Sequence, residues 1–287
     1  MKSKILSFFM VAGLATIMVL GFSSCGDEEE KLPAIGGFNS ADEVAATNLA
    51  AHWAFEGDGK EHKTGASPVS TVNATFPAGA KGKAVQLAAG YLAYGEIAAL
   101  NSLPNMSVSL WAKFDNNGSF PSSFFTLTRA NEWAGNINFM SETGWKPAGN
   151  DTLVIKGLVV TKVANNPSFQ DSRNEPSKGG VQVPKGVNKW HHLVMTWDGA
   201  TSNFKIYADG VKVSNPEWEP RGTTGPLSFF TPTKAVIGAW GTNVPGGGTA
   251  ESWQKPLTGS IDELRVFNKA LTDAEISSLY QLELAGR

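Results

Sequence analysis

The chain has 287 residues and a formal net charge of −2, with 31 glycines and 15 prolines against only 17% charged residues, a composition of strands and turns rather than of long amphipathic helices. Without residues 1–24, which carry Lys2 and Lys4 and no acid, the balance becomes −4, and the remaining Lys and Arg are scattered singly. A protein that neutralises phosphates needs a clustered basic face, so nucleic-acid binding is excluded.

Lys2 and Lys4 precede an apolar run from Ile5 to Phe22, broken only by Ser7 and Thr16, and Ser23 and Ser24 then lead into Cys25. A basic start, an apolar stretch and small residues are the layout of a secretory signal over residues 1–24. The alternative, a spanning helix, has nearly enough length. Cys25 is the chain's single cysteine, which rules out an intrachain disulfide and leaves the exported domain to stand on its core alone. Its position after the small residues resembles the lipobox of bacterial lipoproteins, with Phe22 where that family usually has Leu. The resemblance implies that Cys25 is lipidated and anchors the chain to a membrane. The following Gly26-Asp27-Glu28-Glu29-Glu30 repels itself and stays solvated. It is similar to the acidic signal of surface-displayed lipoproteins, which implies an outer-membrane location facing the exterior. Pro33, Gly36 and Gly37 interrupt any periodicity, so residues 25–47 read as an acidic tether and linker, and residues 48–287 as one domain.

Within that domain Val108, Leu110, Ala112 and Phe114 alternate with Ser107, Ser109, Trp111 and Lys113, which predicts a half-buried antiparallel strand with Trp111 on its polar face. Further strands are expected within Leu153 to Val163, His191 to Trp197, Phe204 to Ala208, Ala235 to Trp240 and Ser260 to Phe267. Asp209-Gly210 offers a hairpin turn. Thr272 with Glu275, and Leu271 with Ile276, supply a capping box and staple for a short helix from Asp273 to about Leu282.

Four segments in order carry a stronger signal. They are Leu49 to Gly59; Ser107 to Lys113 with Trp111; Lys189 to Gly199 followed by Phe204 to Gly210; and Leu257 to Leu271 with its Ile261-Asp262-Glu263. Together they resemble the laminin G-like members of the concanavalin A-like lectin/glucanase superfamily. That resemblance implies an all-β fold, a two-sheet antiparallel jelly-roll sandwich with a short C-terminal helix. It also implies that Asp262 and Glu56, with Asp58 close by, help hold one structural calcium, an ion that takes oxygen ligands.

The fold hosts lectins, adhesion modules and glycosidases alike, so the site must decide. Retaining glycosidases need two carboxyls about 5.5 Å apart, and the sequence shows no such run. Asp262 and Glu263 are adjacent, which on a regular strand sends them to opposite faces. Glu217 and Glu219 are bracketed by Pro216 and Pro220 and read as loop. His52, His191 and His192 lie in strands, where structural roles are the default. The tryptophans point elsewhere: Trp133, Trp145, Trp240 and Trp253 sit in or beside loops rich in Gly, Pro and Asn. An indole face stacks on the C–H face of a pyranose, so these four are the candidate ligand-binding residues for a glycan or polysaccharide. The competing readings are a glycoside hydrolase or lyase with an unconventional site, and an adhesion module that binds protein. Each tryptophan has the alternative of plugging an end of the sandwich.

Overall fold

Runs of alternating apolar and polar residues form thirteen strands in a computed structural model of the protein, which describes residues 32–287. The strands are β1 (Leu49–Trp53), β2 (Ser70–Thr75), β3 (Val85–Ala93), β4 (Met106–Phe114), β5 (Ser122–Arg129), β6 (Ile137–Ser141) and β7 (Ile155–Val163). β8 (Asn166–Arg173), β9 (His191–Asp198), β10 (Asn203–Ala208), β11 (Val211–Lys212), β12 (Pro232–Ile237) and β13 (Leu257–Phe267) follow, then one helix, α1 (Asp273–Leu284). The signal over residues 1–24, Cys25 and the acidic block lie outside the described residues.

All pairing is antiparallel, in the order β11-β10-β9-β4-β13-β3-β12-β5-β6-β7-β8, with β1 added to β13 and β2 to β3. The sheet curls over, and its two halves close on one core, to which Trp53, Leu110, Phe125, Phe139, Trp197 and Ile261 contribute. This is the all-β jelly-roll sandwich expected. β3 links the halves: residues 85–90 pair with β13, and Leu92 and Ala93 pair with β12. The change comes at Ala89 (φ 52°) and Gly90, where a Cβ would lie 2.3 Å from the Val72 carbonyl oxygen, so only glycine fits.

The hairpin turn at Asp209-Gly210 forms as its sequence requires, both residues adopting positive φ (50° and 79°) between the β10 and β11 pairs. The capping box of α1 also forms, with Glu275 N–H donating to Thr272 Oγ1 (3.2 Å) and Thr272 N–H to Glu275 Oε2 (2.8 Å). The helix runs two residues beyond its expected end.

Three sequence expectations need correction. Residues 34–47 are not linker: Ile35 pairs with Phe38, and Ala41 and Val44 are buried against Leu271, Ile276 and Leu279, so the folded unit begins at Ala34. Trp111 does occupy the polar face of β4, but α1 covers that face. Its ring stacks on Tyr280 (5.6 Å) and its Nε1–H donates to Glu283 (2.7 Å). Asp262 and Glu263 do not face opposite ways. Ile261 and Leu264 both enter the core, and Glu263 lies at φ 45° where the register of β13 on β4 shifts. This β-bulge puts both acids on the outer face.

The covered face is wired by charge. Arg265, 1% exposed, donates to Glu283 (3.0 Å), Glu263 (2.6 Å) and Asp42 (2.7 Å), and His52 bonds Glu263 at 3.0 Å. Burial opposes ionisation of Glu263, yet the His52 hydrogen bond and the Arg265 charge hold its pKa down to about 2. Glu283, deeper still, is raised by burial.

Candidate functional site

Among the described residues the other half of the sandwich has no α-helix over it and is covered by loops. In β6 and β7, Ile137, Phe139, Ile155 and Val159 point into the core, and of the outward residues Asn138, Met140, Leu158 and Val160 are buried, the last three in a cluster with Phe230, Trp240 and Trp253, while Lys156 is partly exposed. β8 sets Phe169, Asp171 and Arg173 beside Val160, Leu158 and Lys156.

At one end of this face the chain returns three times with a tryptophan. Trp133 comes from the β5–β6 loop, Trp240 from the residues just after β12, and Trp253 from the segment before β13. Their ring centroids lie 5.2–6.1 Å apart, and Trp133 stacks on Phe169 at 6.3 Å and 23°. Trp133 (37%) and Phe169 (47%) are exposed, Trp253 is half-buried, and Trp240 (1%) supports them from below. Arg129, 6% exposed, holds its guanidinium 5.2 Å from the Phe230 ring and 6.0 Å from Phe169.

Trp145 stands apart from these rings. It is 48% exposed, and the Arg173 guanidinium lies 5.5 Å from its ring and 3.6 Å from that of Trp218, a residue of the 3-10 turn Pro216–Trp218. Between the two aromatic groups runs a charged row. Lys156 Nζ meets Glu142 (3.0 Å) and Asp171 (3.7 Å), and Asp171 also takes Arg173 (3.1 Å) and Arg221 (3.8 Å). Of the four sequence-derived tryptophans, the fold therefore gathers three into one cluster and sets Trp145 in another. Phe169, Arg173 and the Glu142–Asp171 pair escaped the sequence reading, although Phe169-x-Asp171-x-Arg173 has the alternation of a strand face.

The three residues named for calcium are each engaged with N–H donors. Asp262 accepts from the backbone of Ala80 and Lys81 (both 2.9 Å) and of Glu263 (2.8 Å), Glu56 from Lys83 (3.2 Å), and Asp58 from Lys60 (3.0 Å). The loop that supplies these N–H groups approaches closely, since a Cβ on Gly79 would meet Asp262 at 2.4 Å and one on Gly82 would meet Glu56 at 2.0 Å. Burial pushes the Asp262 pKa up to about 8 despite these bonds. Both oxygens of Asp262 are thus engaged by backbone N–H donors. Among the described residues no three His, Cys, Asp or Glu side chains converge as metal ligands.

A curled two-sheet jelly roll with clustered rings and paired charges along one outer rim has the form of a lectin-like sandwich. Family comparison agrees: the laminin G model described as the concanavalin A-like lectin/glucanases superfamily matches residues 87–277, and the chain belongs to that superfamily. No curated protein matches the sequence. Among solved structures, domain 4 of AbnA, a GH43 extracellular arabinanase from Geobacillus stearothermophilus in complex with arabinotriose, is similar with 21% identity and a TM-score of 0.54. The match covers 82% of this chain and 98% of that one. The botulinum neurotoxin type G receptor-binding domain is similar at 12% identity and a TM-score of 0.55, over 82% of this chain and 51% of its own. The serotype D ligand-binding domain, in complex with N-acetylneuraminic acid, gives 14%, 0.54, 84% and 52%. The chain thus spans about half of each toxin domain, and at these identities the likeness is one of fold.

Proposed function

We propose that the protein binds carbohydrate through the exposed aromatic rim beside β6–β8 and does so as a lipid-anchored protein of the outer membrane. The observation that carries the binding reading is the convergence of Trp133, Trp253 and Phe169 from three separate segments into one exposed cluster. Exposed aromatic rings are held in place here by Trp240 and Arg129 beneath them, which lowers the ordering cost of stacking a sugar. The charged row beyond them reads hydroxyls, and Trp145 with Trp218 gives a second stacking platform further along. That the arabinanase domain was solved with arabinotriose and a toxin domain with N-acetylneuraminic acid supports the same ligand class. Calorimetric titration with arabinan and other plant and host polysaccharides tests it. Trp133→Ala is expected to weaken the retained ligand by about 1–3 kcal/mol with the melting curve intact, and equal binding by variant and wild type overturns the reading.

Glycoside cleavage is the second reading, favoured by the convergence of Glu142 and Asp171 on Lys156. Reducing-end release by the wild type, lost in Glu142→Gln, distinguishes it from binding alone. The anchor rests on Cys25, and labelled palmitate in cells carrying Cys25→Ala tests it, since continued labelling removes it. Calcium at Asp262 requires the loop of residues 79–83 to turn; a melting temperature that climbs with calcium in the wild type but not in Asp262→Ala supports the ion.

A further inference from the structure

We propose a second binding site, for a neutral mono- or disaccharide, in a cavity of about 420 Å³ that shares no residue with the aromatic face. Its floor is the outer surface of β3, β13 and β4 where α1 no longer lies over them. There the register sets Gln86, Ser260 and Lys113 abreast on three adjacent strands, with Ala88 and Thr258 as the next row. These floor residues are small except for Gln86 and Lys113. Gly259 keeps the backbone bare, because a Cβ there would lie 2.9 Å from the Lys113 carbonyl oxygen. The walls are Asp115, Asn117 and Phe120 from the β4–β5 loop and Asn188 from the approach to β9.

That loop is fixed in advance. Asn117 donates to the Phe120 carbonyl (2.9 Å) and Thr143 Oγ1 (2.8 Å) and accepts from the N–H groups of Ser119 (2.8 Å) and Phe120 (2.9 Å). Asn116 donates to the Thr152 carbonyl (2.9 Å), and Asn188 N–H to the Phe114 carbonyl (2.8 Å). The contrast lies in the side chains that face the space. Those of Gln86, Lys113, Asp115, Asn188 and Ser260 make no hydrogen bond or ion pair among the described residues, whereas the Lys156 and Arg173 side chains beside the aromatic rim are each paired twice or more.

The chemistry of those five groups selects the ligand. Two amides and a hydroxyl both donate and accept, one ammonium donates, one carboxylate accepts, and the charges cancel. An anionic ligand would meet the Asp115 carboxylate, and an apolar one would strand polar groups without water. A neutral sugar presents vicinal hydroxyls that satisfy donors and acceptors together, and its C–H face meets the half-buried Phe120 ring. The volume lies within the range of small-ligand pockets.

Saturation-transfer NMR and calorimetric titration of the full chain with arabinose, xylose, glucose, galactose, mannose, N-acetylglucosamine, lactose and cellobiose, and with glucuronate as the charged control, test the proposal. At least one neutral sugar is expected to bind, with Lys113→Met and Asp115→Asn each weakening it roughly ten-fold while Trp133→Ala leaves it unchanged. Ser260→Phe fills the floor and abolishes binding, and unchanged melting curves for Lys113→Met and Asp115→Asn separate loss of contact from loss of fold. The proposal is overturned if no sugar of the panel binds, if both polar variants bind like wild type, or if glucuronate binds more tightly than every neutral sugar. Small-sugar binding lost only in Trp133→Ala also overturns it, and assigns that binding to the aromatic face. Polysaccharide binding lost in Trp133→Ala with the pocket silent leaves the proposed function standing and removes this site alone.

Discussion

The outer surfaces of the two halves carry similar residue types and treat them in opposite ways. On β1, β4, β9 and β13, His52, Trp111, His192, Glu263 and Arg265 are buried beneath α1 and residues 34–48 and linked to one another or to Glu283 of α1. On the outer side of β6, β7 and β8, loop residues Phe230, Trp240 and Trp253 pack over Met140, Leu158 and Val160, while Trp133, Trp145, Phe169 and Asp171 at the rim stay a third to a half exposed. The chain seals one polar face permanently with its own helix, so those charges work for stability. On the other face the rings and paired charges at the rim stay within reach of solvent.

Breaking the sealed side is expected to give the largest effect. Glu283→Ala leaves Arg265 buried without its helix partner and is expected to cost about 3–5 kcal/mol in urea unfolding, whereas Lys156→Ala on the other face costs under about 1 kcal/mol. Near-equal losses would erase the distinction between the faces.

Acid tests the same contrast. Burial pushes His192 down to about 3, so in the fold it stays neutral where the unfolded chain, titrating near 6.5, gains a proton. Its contribution is full above pH 6.5 and is lost as pH falls towards 3, at a limiting slope of about 1.4 kcal/mol per pH unit. A shallower fall in melting temperature between pH 6 and pH 4 in His192→Gln would confirm the source; a parallel curve would refute it.

Smaller effects belong to the aromatic rim. Phe169→Ala removes the ring stacked on Trp133 and is expected to cost about 1 kcal/mol or less in stability while weakening polysaccharide binding by about 1–3 kcal/mol, read by denaturation and calorimetry on one sample. Trp145→Ala is expected to change stability by under about 0.5 kcal/mol, since the residue is 48% exposed and its ring lies 5.5 Å from the Arg173 guanidinium. A larger loss would place Trp145 with the structural tryptophans.

The strands and the helix cap were legible because local alternation and local hydrogen bonds write them: Val108 to Phe114 and Thr272 with Glu275 carry their own geometry. The cover was not legible. Nothing in Ala41 or Val44 marks them as packing residues, because a short segment needs only two apolar side chains to dock on a helix and no period to announce it. The bulge at Glu263 was hidden too, since a non-glycine at positive φ carries no signature, and without it Asp262 and Glu263 read as facing apart. For the site, loop tryptophans were visible as types, but their meeting depends on Trp133 reaching Trp240 and Trp253, more than a hundred residues further along the chain. The row of Gln86, Ser260 and Lys113 is more distant still, and only strand register brings it together.

The place of β13 bears on when this protein acquires its shape. One strand near the C-terminal end serves three neighbours: it joins β3 to β4 and holds β1 along Ala51 to Trp53, and the helix that follows it closes the sealed face. The first strand thus waits for a partner more than two hundred residues later, a topology of high contact order that folds slowly. A chain lengthening from its N-terminus cannot finish this sheet until residues 257–284 are present. During synthesis this sheet therefore remains open until the stretch 257–284 has emerged.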